Sequence, residues 1–401
     1  MHDVSEQNAG AQQLPASLHR TVVLVTLALA VGSFGIGTGE FVIMGLLPEV
    51  ARTFAISTPE AGQVITAYAL GVVVGAPLIA VFSAKLSRKL LLICLMTIFG
   101  IGNLASALAP DFWSLLALRF LSGLPHGAYF GVASLVAASV VPPEKGVTAV
   151  SRVMLGLTIA TLIGIPVTAY FGQLLSWRIA FIFVGTLGFV TLTLIAFLLP
   201  RDRIDEGASI LRELGALRRI QVWMALAVGA VGFGGMFAIF SYVALTATEV
   251  AHLDARWIPL LLAAFGVGMN VGNIIGARLG DRSLKGMIIG VMVMNIVSMT
   301  LYGLSASNPI MLFTCVFLVG CGFAAAPAIQ TRLMDVAADA QTLAAASNHS
   351  AFNIANALGA WLGGIVISSG YIAADTGYVG AILSALGLAV FLASVRMEKR
   401  T

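Results

Sequence analysis

The sequence predicts an all-α integral membrane protein of twelve spanning helices in two six-helix halves, with both termini on the cytoplasmic side. Composition is the first sign: 59% of the 401 residues are hydrophobic and 10% are charged, against about 25% charged in a soluble domain. The second is a mean hydropathy of +0.98, carried by regularly spaced apolar runs. The third is an internal repeat at an offset of 197 positions.

Each run is close to or above the roughly 20 residues that cross a bilayer as a helix. The first six lie at 21–47, 58–83, 90–109, 112–140, 146–173 and 179–199. The second six lie at 221–247, 257–279, 286–305, 309–333, 342–368 and 371–395. Helices are required because lipid offers no partner to an unpaired backbone group, and the alternating pattern of a membrane barrel is absent. The opening run exceeds the apolar core of a cleaved leader, so the first helix is expected to direct insertion itself.

Basic residues gather in alternate connections. With the N-terminus inside, cytoplasmic connections receive Lys85, Arg88, Lys89, Lys145, the arginines between 201 and 219, Arg278, Arg282, Lys285 and Arg332. The outer ones keep Arg52, Arg178 and Arg256. That asymmetry orients the chain. It divides into a cytoplasmic tail (1–20), a six-helix bundle (21–199), a cytoplasmic linker (200–220), a second bundle (221–395) and a short tail (396–401).

The repeat superposes Gly32 on Gly229, Gly35 on Gly232, Gly71 on Gly268, Gly75 on Gly272 and Gly123 on Gly320. One offset serving three helix pairs marks two parallel halves, the plan of transporters that rock around a central site. At that offset Glu40 falls on Phe237 and Arg119 on Val316, so both deep charges belong to the first half.

Other classes are excluded in turn. The pI near 9.1 comes from basic residues scattered through short loops, a topology signal and not a nucleic-acid footprint. Cys94, Cys315 and Cys321 sit in apolar runs without metal-binding spacing, so neither metal nor cofactor is expected. No nucleotide-binding loop or catalytic serine motif is present, which excludes an enzyme reading.

Glu40 lies inside the first apolar run. A carboxylate in hydrocarbon costs about 2.5–3.5 kcal/mol on insertion scales, so such acids mark ion or substrate pathways unless a neighbour pairs them for structural reasons. Counting along the spans puts Glu40 about 9 Å and Arg119 about 10 Å outward of the mid-plane, level with one another. His126, next to Pro125, either carries protons or satisfies a carbonyl freed by the proline. Arg152 is expected to snorkel toward the interface.

Residues 37–51, GTGEFVIMGLLPEVA, residues 118–131, LRFLSGLPHGAYFG, and the run from Gly156 through Gly164 and Pro166 to Gly172 carry a resemblance covering essentially the whole chain. They resemble the major facilitator superfamily, and within it the bacterial twelve-helix drug:proton antiporter type, with its sugar-efflux, arabinose-efflux and chloramphenicol-resistance permeases. The resemblance implies that the first and fourth helices flank the cavity. Glu40 and Arg119 are then expected either to exchange partners during proton coupling, with His126, or to form a static pair. It also makes Gly156, Gly164, Pro166 and Gly172 an antiporter signature. One departure stands out: where the family reads Gly-x-Leu-Ala-Asp-Arg after the second helix, this chain has alanine at the acidic position, Ala84. Asp281 and Arg282 keep the acid–basic pair in the second half and are expected to carry the latch.

Tyr68, Tyr129 and Phe233 are candidate cavity aromatics. His349, Phe352, Asn353 and Asn356 share one face of the eleventh helix, and Asn270 and Asn273 one face of the eighth. Such polar stripes line a cavity or bond a neighbouring helix; the cavity is the expectation here. The whole points to a proton-coupled exporter of a small sugar, nucleoside or drug-like molecule, working as a monomer in the inner membrane without nucleic acid. A facilitator or proton-driven uptake symporter is the alternative.

Overall fold

In a computed structural model of the chain, residues 16–56, 58–83, 85–200, 210–338 and 340–398 are described. Twelve helices among them are long and apolar enough to cross a membrane. They are α1 (Arg20–Met44), α2 (Gln63–Phe82), α3 (Arg88–Ala107), α4 (Phe112–Ser139), α5 (Pro143–Leu174) and α6 (Trp177–Leu198), then α7 (Ile220–Val250), α8 (Ile258–Arg282), α9 (Leu284–Ser305), α10 (Pro309–Ala337), α11 (Gln341–Ser368) and α12 (Ala373–Glu398). The expected runs match these helices with shifts of a few residues at the ends. Ala84, most of the 1–20 tail, residues 201–209 and residues 399–401 lie outside the described residues.

Short polar caps start the helices. Ser87 accepts a hydrogen bond from the Leu90 N–H at 3.3 Å, and Asp111 from the Ser114 N–H at 2.9 Å. Ser283 and Asn308 cap α9 and α10 in the same way. Each cap satisfies donors that a helix start leaves without partners.

Glycines decide how closely the helices cross. A Cβ on Gly71 of α2 would stand 2.2 Å from the Phe120 carbonyl oxygen of α4, and one on Gly268 of α8 would stand 2.1 Å from that of Phe317 in α10. Gly123 and Gly320 meet the backbone of Tyr68 and Phe265 equally closely, each at 2.3 Å. Equivalent repeat positions therefore make equivalent crossings, and small residues are what allow backbones to approach so near.

The halves meet along α2 and α4 against α11, and along α5 against α8. Ala76 and Ala80 pack with Leu343 and Ala346, and a Cβ on Gly131 would stand 2.5 Å from the Ala346 nitrogen. Gly280 faces Val147 across the α5–α8 seam. The Thr148 N–H and hydroxyl both donate to the Asp281 carboxylate. These contacts crowd toward the end of the bundle that carries Lys85, Arg88, Lys89, Arg278, Arg282 and Lys285. At that end Glu398 of α12 ties in Arg332 at 3.0 Å and Lys285 at 2.7 Å.

Candidate transport site

α4 buries Arg119 completely in the first half. Its Nη2 donates to the Gly39 carbonyl of α1 at 3.0 Å, and the guanidinium carbon lies 4.3 Å from the Tyr68 ring centroid and 5.1 Å from that of Phe181. Its Nε and Nη1 are buried and have no hydrogen-bond partner. Glu40, the next residue after Gly39, is half-buried, with no ion pair within 4.0 Å between it and Arg119. The two charges are level, as the depth count expects. The arginine takes a backbone carbonyl and an aromatic face in place of the carboxylate.

Cation–π contact with a desolvated ring is worth about 2 kcal/mol, and a charged donor to a carbonyl about 1.5–3 kcal/mol. Those contacts hold the guanidinium over the Tyr68 ring while leaving its Nε and Nη1 N–H groups unpartnered. An acceptor arriving beside Glu40 meets donors that are already oriented.

A polar chain continues from Tyr68 toward the second half. The Tyr68 hydroxyl lies 3.1 Å from His126 Nδ1, and His126 Nε2 lies 3.3 Å from His349 Nδ1 of α11. All three side chains are buried. His349 stacks on Phe130 at 4.1 Å and meets Phe352 edge-on at 5.7 Å, while its Nε2 is buried without a partner. Phe352 in turn packs on Phe233 at 4.8 Å. Neither sequence reading of the His126 surroundings included this contact: its ring nitrogens are committed to a tyrosine and to a histidine of the other half, and no freed carbonyl claims them.

Tyr129, Asn270, Asn273 and Asn353 each donate to a backbone carbonyl. Tyr129 is fully buried and donates to the Leu29 carbonyl at 2.7 Å, filling the space left by Gly32; it clamps α4 to α1. Asn270 donates to the Thr158 carbonyl at 3.1 Å and accepts from its hydroxyl at 2.8 Å. Asn273 and Ser151 exchange side-chain-to-carbonyl bonds, both at 3.0 Å. Both asparagines therefore fasten α8 to α5, because an amide in lipid is satisfied most cheaply by a neighbouring helix. Asn353 turns back to the His349 carbonyl at 3.0 Å, and Asn356 is half-buried.

The α5 glycines set close helix approach within the first half. A Cβ on Gly156 would stand 2.0 Å from the Ala30 carbonyl oxygen, one on Gly164 would meet Thr38 and Phe34, and one on Gly172 would meet Leu46. All three neighbours belong to the first half. The seam with α8 uses the opposite face of α5, through Thr148, Ser151, Thr158 and Leu162. A π-bulge at Ala160–Gly164 directly precedes Pro166, the usual local cause of a bend in a long helix. Of the expected latch pair, Asp281 is engaged and Arg282 is exposed.

Known proteins resemble this chain over nearly its whole length. The profile of the Major Facilitator Superfamily matches residues 29–282 and 252–401. The chain is 39% identical over 376 residues to the inner membrane transport protein YdhP of Escherichia coli, covering 94% of this chain and 97% of that protein. It is 30% identical to a chloramphenicol resistance protein of Streptomyces lividans, over 82% of this chain and 86% of that protein. Among solved structures, the E. coli fucose:proton symporter FucP has a TM-score of 0.75 at 15% identity, with 94% of this chain and 99% of that one covered.

Proposed function

The chain belongs to the major facilitator superfamily, and from that premise we propose that it exports a small sugar, nucleoside or drug-like molecule in exchange for protons. Both termini face the cytoplasm in this reading, and the halves 21–199 and 221–395 alternate access around the polar chain between them. The observation that carries it is the Arg119 pocket. A buried guanidinium with two unpartnered nitrogens lies against α1 beside Glu40, with no ion pair within 4.0 Å joining it to that acid.

Ionised Glu40 accepts a hydrogen bond from a substrate hydroxyl whose oxygen takes the free Arg119 N–H groups, and protonating Glu40 removes that acceptor. Substrate bound there favours release of the proton in turn. The two ligands are linked through one electrostatic site, which is the thermodynamic requirement for coupled exchange. His126 and His349 extend this site into the second half. The names of the relatives support an efflux reading, and the bond from Arg119 to Gly39 supports first-half control of coupling.

The test is substrate-triggered proton movement in inside-out vesicles, over a panel of sugars, nucleosides and drugs. A compound that makes the intact protein, but not Glu40→Gln, discharge an imposed proton gradient supports antiport through Glu40. Equal responses from both proteins remove Glu40 from the coupling. Equilibration of substrate without proton movement makes the protein a facilitator.

A further inference from the structure

A groove of about 380 Å³ opens on the outside of the first half between α1 and α5. Its wall is apolar, with Leu27, Ala30, Phe34, Leu155 and Ile159 among its lining, and one cation, Arg152, stands in it. This is a lipid-facing surface: Leu27 and Ile159 are 53% and 40% exposed, and Ile163 and Val167 continue the exposed apolar face along α5. Arg152 is itself exposed and, among the described residues, has no ion-pair or hydrogen-bond partner.

Position sharpens the point. Arg152 lies six residues beyond Gly146, where the α-helical part of α5 begins, about 9 Å along the axis. Thr26, across the groove, lies six residues beyond Arg20, the start of α1, again about 9 Å. From that level the apolar wall runs another turn or more, to Phe34 and Ile159. A guanidinium left alone at this depth and facing hydrocarbon is costly, and its planar fork matches phosphate oxygens better than any other side chain does.

We propose that this groove holds an anionic phospholipid of the leaflet bordering the Lys/Arg-rich end, its phosphate on Arg152 and one acyl chain along the groove. An amphiphile with a negative head and an apolar tail is the one chemistry that satisfies both the cation and the wall. The groove touches neither Arg119 nor the His126–His349 pair, so the lipid is a site separate from the transport path.

The test is native mass spectrometry of the purified full-length protein with added phosphatidylglycerol or phosphatidylcholine, for the intact chain, Arg152→Gln and Leu27→Trp. The intact protein should retain phosphatidylglycerol in preference to phosphatidylcholine. Arg152→Gln should lower its retention about tenfold, and Leu27→Trp, which fills the groove and keeps the charge, should lower it as well. Both substitutions fall on exposed positions, so folding is not at stake. Equal retention of the two lipids, or phosphatidylglycerol unaffected by Arg152→Gln, overturns the proposal. Loss in Arg152→Gln without loss in Leu27→Trp also overturns it, since a bare surface charge would then explain the attraction.

Discussion

Glu213 accepts a hydrogen bond from the backbone N–H of Leu343 at 2.9 Å. Leu343 is the third residue of α11, and Thr148, whose N–H donates to Asp281 at 3.1 Å, is the third residue of the α-helical part of α5. An acid from outside the helix's own half thus sits on a helix N-terminus at both seams. In the second-half loop that acid is Asp281. In the first-half loop the corresponding residue is Ala84, and the linker between the halves supplies Glu213 to α11. Leu217, four residues on, packs into the Ala76–Ala80–Leu343–Ala346 cluster beside it.

A carboxylate on a helix N-terminus stabilises by about 0.3–1 kcal/mol at a surface and up to about 2 kcal/mol when partly buried. Glu213 is 8% exposed. Glu213→Ala is therefore expected to open the seam at the Lys/Arg-rich end, raising the maleimide reactivity of an Ala80→Cys probe roughly fivefold or more. Asp281→Ala should act alike at the α5–α8 seam, and the two effects should add because they share no partner. Unchanged labelling in both variants would show that these acids do not hold the seams.

Arg119→Lys keeps the charge but loses the flat face on Tyr68 and the fork of donors. We expect the protein to fold and insert, with coupled transport falling at least about tenfold. Vesicle assays at saturating substrate check this. Transport at the level of the intact protein would mean that charge alone suffices.

Tyr68→Phe deletes the hydroxyl next to His126 and keeps the ring on Arg119. Loss of one buried hydrogen bond costs about 1 kcal/mol. Combined with His349→Gln it should give less than the sum of the single effects on transport, because both act through His126. Strict additivity in the double-mutant cycle would argue that the three side chains do not work as one chain.

Gly71→Ala and Gly268→Ala should each destabilise the fold by about 1–3 kcal/mol or prevent assembly, because the added carbon meets a backbone oxygen that has no room to move. Gly290→Ala, with nothing within 4 Å of the added carbon, is the neutral control. Thermal unfolding in detergent reads the difference, and equal midpoints for all three would contradict the crossing geometry.

Much of the architecture was legible because it rests on local quantities. Span length and hydropathy fix where helices cross, and the 197-residue offset in glycines already encodes the matched α2–α4 and α8–α10 crossings. Counting residues along two antiparallel helices sufficed to bring Glu40 and Arg119 to one level. The stripe of Asn270 and Asn273 was legible only as a stripe, since a line of amides looks the same whether it faces a cavity or a neighbouring backbone.

Sequence by itself determined a twelve-helix membrane protein with a repeat, a deep acid and a deep arginine, because hydropathy, spacing and period are properties of consecutive residues. Only the tertiary structure decided which atoms those groups touch. It took Arg119 to the Gly39 carbonyl and Tyr68, joined His126 to His349 across the halves, turned the α5 glycines toward α1, and brought Glu213 to α11. Each of these contacts joins residues 51 to 223 positions apart or depends on which face of a helix is covered. That is settled by how helices pack and not by any pattern along one of them.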